Sequence, residues 1–207
     1  MLRALDLPFE PRYNIAPSQN IVAIGNFGRG PETRLLVWGL VPSWSTDGKG
    51  FINARAETIE DKPSFSESFR FRRCLIPADG FFEWRRSRSL KQPYYFYTDA
   101  HIAFAGIWDT WKSVEGPVMT CAIITTPANE IVGELHNRMP AILSSESFDV
   151  WLDPRTGADE LKKLLVPFPA SKMTSHPVSS DVNHPDNDFS ELLTYVNSEI
   201  GNNLSLF

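Results

Sequence analysis

Three short polar clusters interrupt the apolar runs of this chain and contain the residue types that perform chemistry. They occupy residues 51–57 (FINARAE), 79–84 (DGFFEW) and 136–140 (HNRMP). Their functional groups are the amide of Asn53, the carboxylate of Glu83, the imidazole of His136 and the guanidiniums of Arg55 and Arg138. A carboxylate and an imidazole exchange protons readily, and a guanidinium holds two oxygens of a phosphate. The clusters therefore predict acid/base chemistry on a phosphate-bearing ligand.

Glu83 is the most informative of these residues because it stands between aromatic side chains. If residues 79–84 form a strand, Phe82 and Trp84 share one face and Glu83 shares the other with Phe81. Desolvation by aromatic neighbours would raise the pKa of the carboxyl and suit it to general acid/base work. The structural alternative is an ion pair with a nearby arginine.

Asn53 with Arg55, and His136 with Arg138, repeat one spacing. Residues two apart in an extended segment face the same way, so each pair would place a reactive group and a phosphate-binding arginine on one surface. A single histidine is more often a hydrogen-bonded structural group, but the repeated pattern favours function. His136, His176, Glu83 and Asp79 have no metal-ligand spacing, and nucleotide-binding signatures are absent. Neither a metal nor a cofactor is predicted.

Short apolar runs separated by turn residues indicate the elements that position these groups. We predict strands at 21–24, 34–38, 93–97, 102–107 and 118–125, with hairpin connections at 99–101 and 113–117. Helices are predicted at 65–71, 128–135, 145–152 (capped by Ser144 or Ser145) and 158–165, and residues 166–176 are predicted to be irregular. The fold class is α+β, mainly an antiparallel sheet or open β-barrel with several short helices.

Length and composition predict one globular domain over residues 1–207. The chain is 42% hydrophobic and 22% charged, which suffices for a sizeable core. Without a long apolar segment, we expect no membrane association and a cytoplasmic, monomeric protein. Cys74 and Cys121 lack a paired spacing and are predicted to be buried thiols.

The net charge of −5 argues against broad nucleic-acid binding, but one stretch is basic. Between residues 70 and 91 it contains only two acids and these basic residues: Arg70, Arg72, Arg73, Arg85, Arg86, Arg88 and Lys91. Two interpretations stay open, a positive patch or, for 85–91, a solvated hairpin loop.

Six motifs in order resemble the SRAP (SOS-response-associated peptidase) family, whose members sense abasic sites in single-stranded DNA. They are RYNIAP (12–17), WGLVPSW (38–44), INAR (52–55), DGFFEW (79–84), HNRMP (136–140) and SHPVS (175–179). The resemblance covers most of the chain. It implies a single SRAP-like domain acting on single-stranded DNA with abasic sites, with associated peptidase and lyase or cross-linking activity.

The resemblance also assigns residues. Asn53, Glu83 and His136 would line the active site: Glu83 would transfer protons, His136 would assist ring opening and Asn53 would orient the amine. Arg55 and Arg138 would hold phosphates, and Trp44 and Pro17 would open the strand. We add Asn14, from the first motif, and Arg73, from the basic stretch, to the DNA-binding set.

The family's cross-link is a thiazolidine that needs the free α-amine and thiol of an N-terminal cysteine. The family's Met-Cys-Gly-Arg start is absent here, since the chain opens Met1-Leu2-Arg3. We expect the start to lie upstream; the alternatives are a variant that binds without cross-linking and weak lyase activity through the Met1 amine. Two other functions stay open: a non-covalent single-stranded DNA-binding module, and a hydrolase of a small acidic metabolite.

Overall fold

The computed structural model describes residues 10–28, 30–86 and 91–197. Its strands are β1 (Asn20–Asn26), β2 (Pro31–Trp38), β3 (Asn53–Arg55), β4 (Arg73–Arg86), β5 (Lys91–Ser113), β6 (Gly116–Pro127), β7 (Arg138–Pro140), β8 (Ile142–Ser144) and β9 (Thr174–Pro177). Its α-helices are α1 (Ser66–Phe71), α2 (Glu130–Gly133), α3 (Phe148–Leu152) and α4 (Ala158–Leu164). Short 3₁₀ helices span Ala56–Thr58, Ser145–Ser147, Ala170–Lys172, Ser180–Asn183 and Ser190–Leu193.

The sheet closes into a barrel. Strands neighbour one another in the order β6, β2, β1, β4 and β5, and β5 pairs again with β6. Within this ring only β2 and β6 run parallel. The predicted α+β fold with a mainly antiparallel sheet and short helices is confirmed. The barrel is closed rather than open because the 23-residue β5 is long enough to pair with both β4 and β6.

Alternation along the strands divides the core into two faces. One buried cluster takes residues from every strand of the ring, including Ala23, Leu36, Ile76, Phe96 and Cys121. The opposite face is covered by α1, α3 and α4 through Phe69, Trp151 and Leu161. Cys74 and Cys121 are buried and free, as predicted. The helices that the structure describes include none with the length and apolarity of a membrane span.

The predicted hairpin at residues 99–101 is wrong. The two predicted strands on either side of it are parts of β5, which continues through this segment opposite β4. The register shifts between Ala78 and Gly80, so the turn-like residues form an irregularity inside a strand pair rather than a reversal. The hairpin predicted at 113–117 is confirmed, with Ser113 opposite Gly116 and a positive φ of 124° at Gly116.

Each predicted helix exists but is shorter than predicted. Segment 128–135 contains only α2, and segment 145–152 begins as a 3₁₀ helix before α3. The segment 166–176 predicted to be irregular contains a 3₁₀ helix and most of β9. Strand β9 forms because its residues pair with Tyr94–Tyr97 of β5.

The basic stretch does not form one patch. Arg73 is buried, Arg72 pairs with Glu67 and Asp109, and Arg85 lies over the Tyr94 ring. Arg86 of β4 lies opposite Lys91 of β5 in the antiparallel register, as the hairpin interpretation of 85–91 expects. Arg88 lies outside the described residues.

Candidate active site and nucleic-acid interface

The C-terminal end of β6 is the centre of a three-stranded platform. Strand β3 pairs with it on one side, placing Arg55 opposite Thr125, and β7 pairs on the other, placing Pro140 opposite Thr125. Cross-strand partners share a face, so Asn53 and Arg55 project from the same surface as Thr125. Asn53 and Arg55 are exposed while Ala54 between them is buried. The predicted common surface of Asn53 and Arg55 is confirmed.

Arg138 lies across this platform. Its Nη1 and Nη2 donate to the two Glu57 carboxylate oxygens at 2.5 and 2.9 Å, and Nη2 also donates to the Thr125 carbonyl at 2.6 Å and to Thr125 Oγ1 at 3.3 Å. The hydrogen bonds from Arg138 lower the pKa of Glu57, so this carboxylate stays ionised at neutral pH. Arg55 attracts the same carboxylate more weakly. Both arginines therefore interact with one anionic group.

Glu83 lies in β4 opposite Tyr94 of β5, and the predicted division of faces is observed. Phe82 and Trp84 pack outward against the cluster around Val178, while Phe81 stacks on Phe96 inside the barrel. The Glu83 side chain is only 23% exposed. Burial raises the pKa of the Glu83 carboxyl above its usual range, and nearby His136 opposes part of that shift. Such a carboxyl can hold or release a proton closer to neutral pH than an exposed glutamate can.

His136 lies beside Glu83. Its Nδ1 is 3.4 Å from Glu83 Oε1, 3.3 Å from the donating Arg138 backbone N and 3.0 Å from the Arg138 carbonyl oxygen. The imidazole is half exposed, and these three contacts all involve Nδ1. Glu83, His136 and Arg138 thus form one continuous cluster that joins the acid/base pair to the platform.

The loop that presents His136 is held by Asn129. The Asn129 side chain accepts from the Val132 backbone N at 3.0 Å, capping α2, and donates to the Phe168 carbonyl at 2.8 Å. The Ala128 backbone N donates to the Asn137 carbonyl and closes the loop at its base. These bonds fix the position of His136 relative to β7.

Trp44 and Pro17 are both exposed, as a stacking or wedging role requires. Trp44 is 63% exposed in the loop after β2. That loop is anchored at Ser43, whose backbone N donates to Asp109 at 2.9 Å, and at Ser45, whose carbonyl accepts from Trp111 Nε1 at 2.9 Å. The turn at Pro17 is held to β2 because the next residue's N–H donates to the Trp38 carbonyl.

Asn14 and Arg73 are not at this surface, which corrects their assignment to DNA binding. Asn14 is buried, and its amide donates to the carbonyls of Val182, His184 and Asn187, which ties the N-terminal segment to the C-terminal one. Arg73 is 5% exposed and donates to four backbone carbonyls, those of Phe69, Arg70, Trp151 and Asp153. Both side chains are buried, and the Asn14 amide and four of the five Arg73 N–H groups donate to backbone carbonyls, so neither can bind a phosphate with two donors.

Sequence reasoning missed three residues that shape the site: Glu57, Thr125 and Asp109. Glu57 ends the FINARAE cluster and repeats the two-residue spacing from Arg55, a signal that could have identified it. Thr125 and Asp109 had no such signal because their contacts depend on strand pairing. Among the described residues, no three histidine, cysteine, aspartate or glutamate side chains gather as metal ligands would.

Comparison with known proteins identifies relatives over most of the chain. A family model described as SOS response associated peptidase (SRAP) matches residues 3–185. The abasic site processing protein YoaM of Bacillus subtilis is 45% identical over 193 residues, which cover 89% of this chain and 85% of YoaM. The abasic site processing protein HMCES of Xenopus tropicalis is 30% identical, and the match covers 91% of this chain and 67% of that protein.

Solved structures agree in fold. A crystal structure of a protein from Bacteroides thetaiotaomicron matches with a TM-score of 0.76 and 32% identity, covering 90% of this chain and 82% of the other. A phage-related protein from Bordetella bronchiseptica matches with a TM-score of 0.66 and 30% identity, covering 83% of this chain and 84% of the other.

Proposed function

This chain belongs to the SRAP family, and on that premise we propose that it processes abasic sites in single-stranded DNA. The main supporting observation is that the half-buried Glu83 carboxyl and His136 lie 3.4 Å apart beside the platform formed by β3, β6 and β7, to which Arg55 and Arg138 belong. Acid/base groups next to phosphate-binding groups suit a reaction on the sugar of a DNA strand. The printed names of YoaM and HMCES support the choice of an abasic site as the substrate.

In this proposal Arg55 and Arg138 bind the phosphates that flank the lesion. The ring-opened abasic sugar is an aldehyde. An amine adds to its carbonyl carbon, the carbonyl oxygen takes up a proton to become a hydroxyl, and loss of that hydroxyl as water gives the Schiff base. Glu83 moves those protons, and His136, whose Nδ1 is 3.4 Å from Glu83 Oε1, assists opening of the ring. Asn53, exposed on the platform, orients the attacking amine. Trp44 and Pro17 contact the bases next to the abasic site.

The test follows covalent adduct and strand cleavage on a denaturing gel, after the chain is mixed with a single-stranded oligonucleotide that contains one abasic site. Borohydride traps an amine adduct. We expect products from the abasic strand and none from the matched intact strand, and their loss in the Arg55→Ala/Arg138→Ala double variant because binding fails. Equal product from the double variant would place the reaction elsewhere.

The alternative, a non-covalent single-stranded DNA-binding module, makes a different prediction. Such a module would depend on Arg55, Arg138 and Trp44 but would be indifferent to Glu83→Gln. The names of the relatives favour processing over binding alone.

A further inference from the structure

We propose that Glu57 is an internal competitor for phosphate, a carboxylate that occupies the donor pair of Arg138 that a DNA phosphate would take and so weakens single-stranded DNA binding. The inference rests on the proposed function, since it concerns the same platform. It assigns to Glu57 a part in setting affinity and salt dependence rather than in the chemistry.

The geometry of the ion pair supports a competing role. Glu57 accepts from both terminal nitrogens of Arg138, with Nη1···Oε1 at 2.5 Å and Nη2···Oε2 at 2.9 Å. This is the bidentate geometry in which a guanidinium also binds two oxygens of a phosphate. A phosphate at Arg138 must therefore displace the carboxylate or share the guanidinium with it.

The surroundings show that Arg138 does not need Glu57 to stay in place. Its Nη2 also donates to the Thr125 carbonyl at 2.6 Å and to Thr125 Oγ1 at 3.3 Å, and its backbone belongs to β7. The Arg138 side chain is 18% exposed, so packing restrains it further. Removing the charge of Glu57 therefore frees donors without releasing the arginine from the platform.

Glu57 is also near enough to Arg55 to interact with it. The carboxylate is attracted to Arg55 as well as bound to Arg138, and its side chain is 46% exposed to solvent. Its negative charge thus acts on both cations that would bind phosphates: it partly neutralises them and repels an incoming DNA strand. Both effects lower the affinity for DNA.

Glu57→Gln is the direct test because glutamine keeps the shape and one acceptor but loses the charge. Fluorescence anisotropy with a labelled intact single-stranded oligonucleotide should give a dissociation constant about tenfold lower than that of the wild type, equivalent to ~1.4 kcal/mol. Because Arg138 then neutralises one more phosphate, the slope of log affinity against log salt concentration should steepen by about 0.7.

Glu60→Gln is the matched control. Glu60 is three residues further along and pairs with Lys162, so this variant changes net charge equally without touching the arginines. It should bind within about twofold of the wild type, because the Glu60 carboxylate pairs with Lys162 rather than with a phosphate-binding arginine, and salt screens its remaining effect. In an Arg138→Ala background, Glu57→Gln should lose most of its effect.

The outcomes separate the two proposals. If Arg138→Ala weakens binding while Glu57→Gln matches Glu60→Gln or binds more weakly than the wild type, Glu57 is not a competitor and only the present inference fails. If Arg138→Ala binds single-stranded DNA as tightly as the wild type, the platform is not the DNA site and the proposed function fails. Tighter binding by Glu57→Gln that disappears with Arg138 supports both.

Discussion

Replacing Arg73 by methionine should unfold this protein more easily without changing how the folded protein binds DNA. The guanidinium donates to the carbonyls of Trp151, Phe69, Arg70 and Asp153 at 2.7, 2.9, 2.5 and 2.6 Å. These bonds join the start of β4 to the ends of α1 and α3. Methionine fills similar space but leaves the four acceptors without their donor.

The expected loss of stability in Arg73→Met follows from two opposing effects. Hydrogen bonds from a charged donor contribute about 1.5–3 kcal/mol each, so four of them total roughly 6–12 kcal/mol. Burial of the guanidinium, which lowers the pKa of Arg73, costs several kcal/mol and offsets part of this sum. A net loss of about 4 kcal/mol is expected, against a typical total stability of about 5–15 kcal/mol.

Urea unfolding followed by far-ultraviolet circular dichroism measures the effect. With a slope of about 2 kcal/mol per molar, the midpoint should fall by about 2 M. Arg70→Ala is the matched control, since Arg70 has an exposed side chain and the same charge, and its change should stay within about 0.5 kcal/mol. A midpoint for Arg73→Met equal to that of Arg70→Ala, or a loss of DNA affinity at unchanged stability, would refute a structural role for Arg73.

Three further changes have defined outcomes. Glu83→Gln should raise the free energy of unfolding at neutral pH. The pKa of Glu83 in the folded protein lies above its ordinary value of 4.5, so the wild type loses stability as the pH rises from 4.5 through the folded-state pKa. Thermal melts should therefore show the gain at pH 7 and its disappearance near pH 4. Gly80→Ala should lower the melting temperature, because a Cβ would collide with the Phe96 carbonyl oxygen; a neutral result would show that the bulge can relax. Asp109→Ala should weaken single-stranded DNA binding about as much as Trp44→Ala does, because Asp109 anchors the loop that contains Trp44. Anisotropy should show a loss of ~1–3 kcal/mol for each single variant and no further loss for the double variant.

Local patterns predicted strands in β1, β2, β5 and β6 and the three polar clusters, but β4 was not among the predicted strands and β5 was predicted as two strands. The apolar runs of β1 and β6 coincide with consecutive buried residues, and the spacing of Asn53 with Arg55 corresponds to a shared exposed face. These features depend on residues close in sequence. The same reasoning predicted the faces of Glu83 and its aromatic neighbours.

Long-range contacts set the limit of prediction. An arginine in the sequence gives no sign of whether its donors meet a phosphate or backbone carbonyls, and Arg73 meets the latter only because α1 and α3 end beside it. Likewise, the pairing of Arg138 with Glu57 joins residues 81 positions apart. Turn-forming residues at 99–101 suggested a reversal, but the continuous pairing of β4 along β5 overrode that local preference.

The most direct measurement is the single-turnover rate at which saturating protein converts a single-stranded abasic oligonucleotide to adduct or cleaved strand, with wild type and Glu83→Gln compared at pH 7. Acid/base assistance contributes about 10²–10⁴-fold, so the variant should be slower by about a hundredfold or more while its affinity for the oligonucleotide stays within about twofold. Equal rates would contradict the assignment of proton transfer to Glu83. With equal rates, the arginine platform would have a role in DNA binding but Glu83 would have none in the reaction.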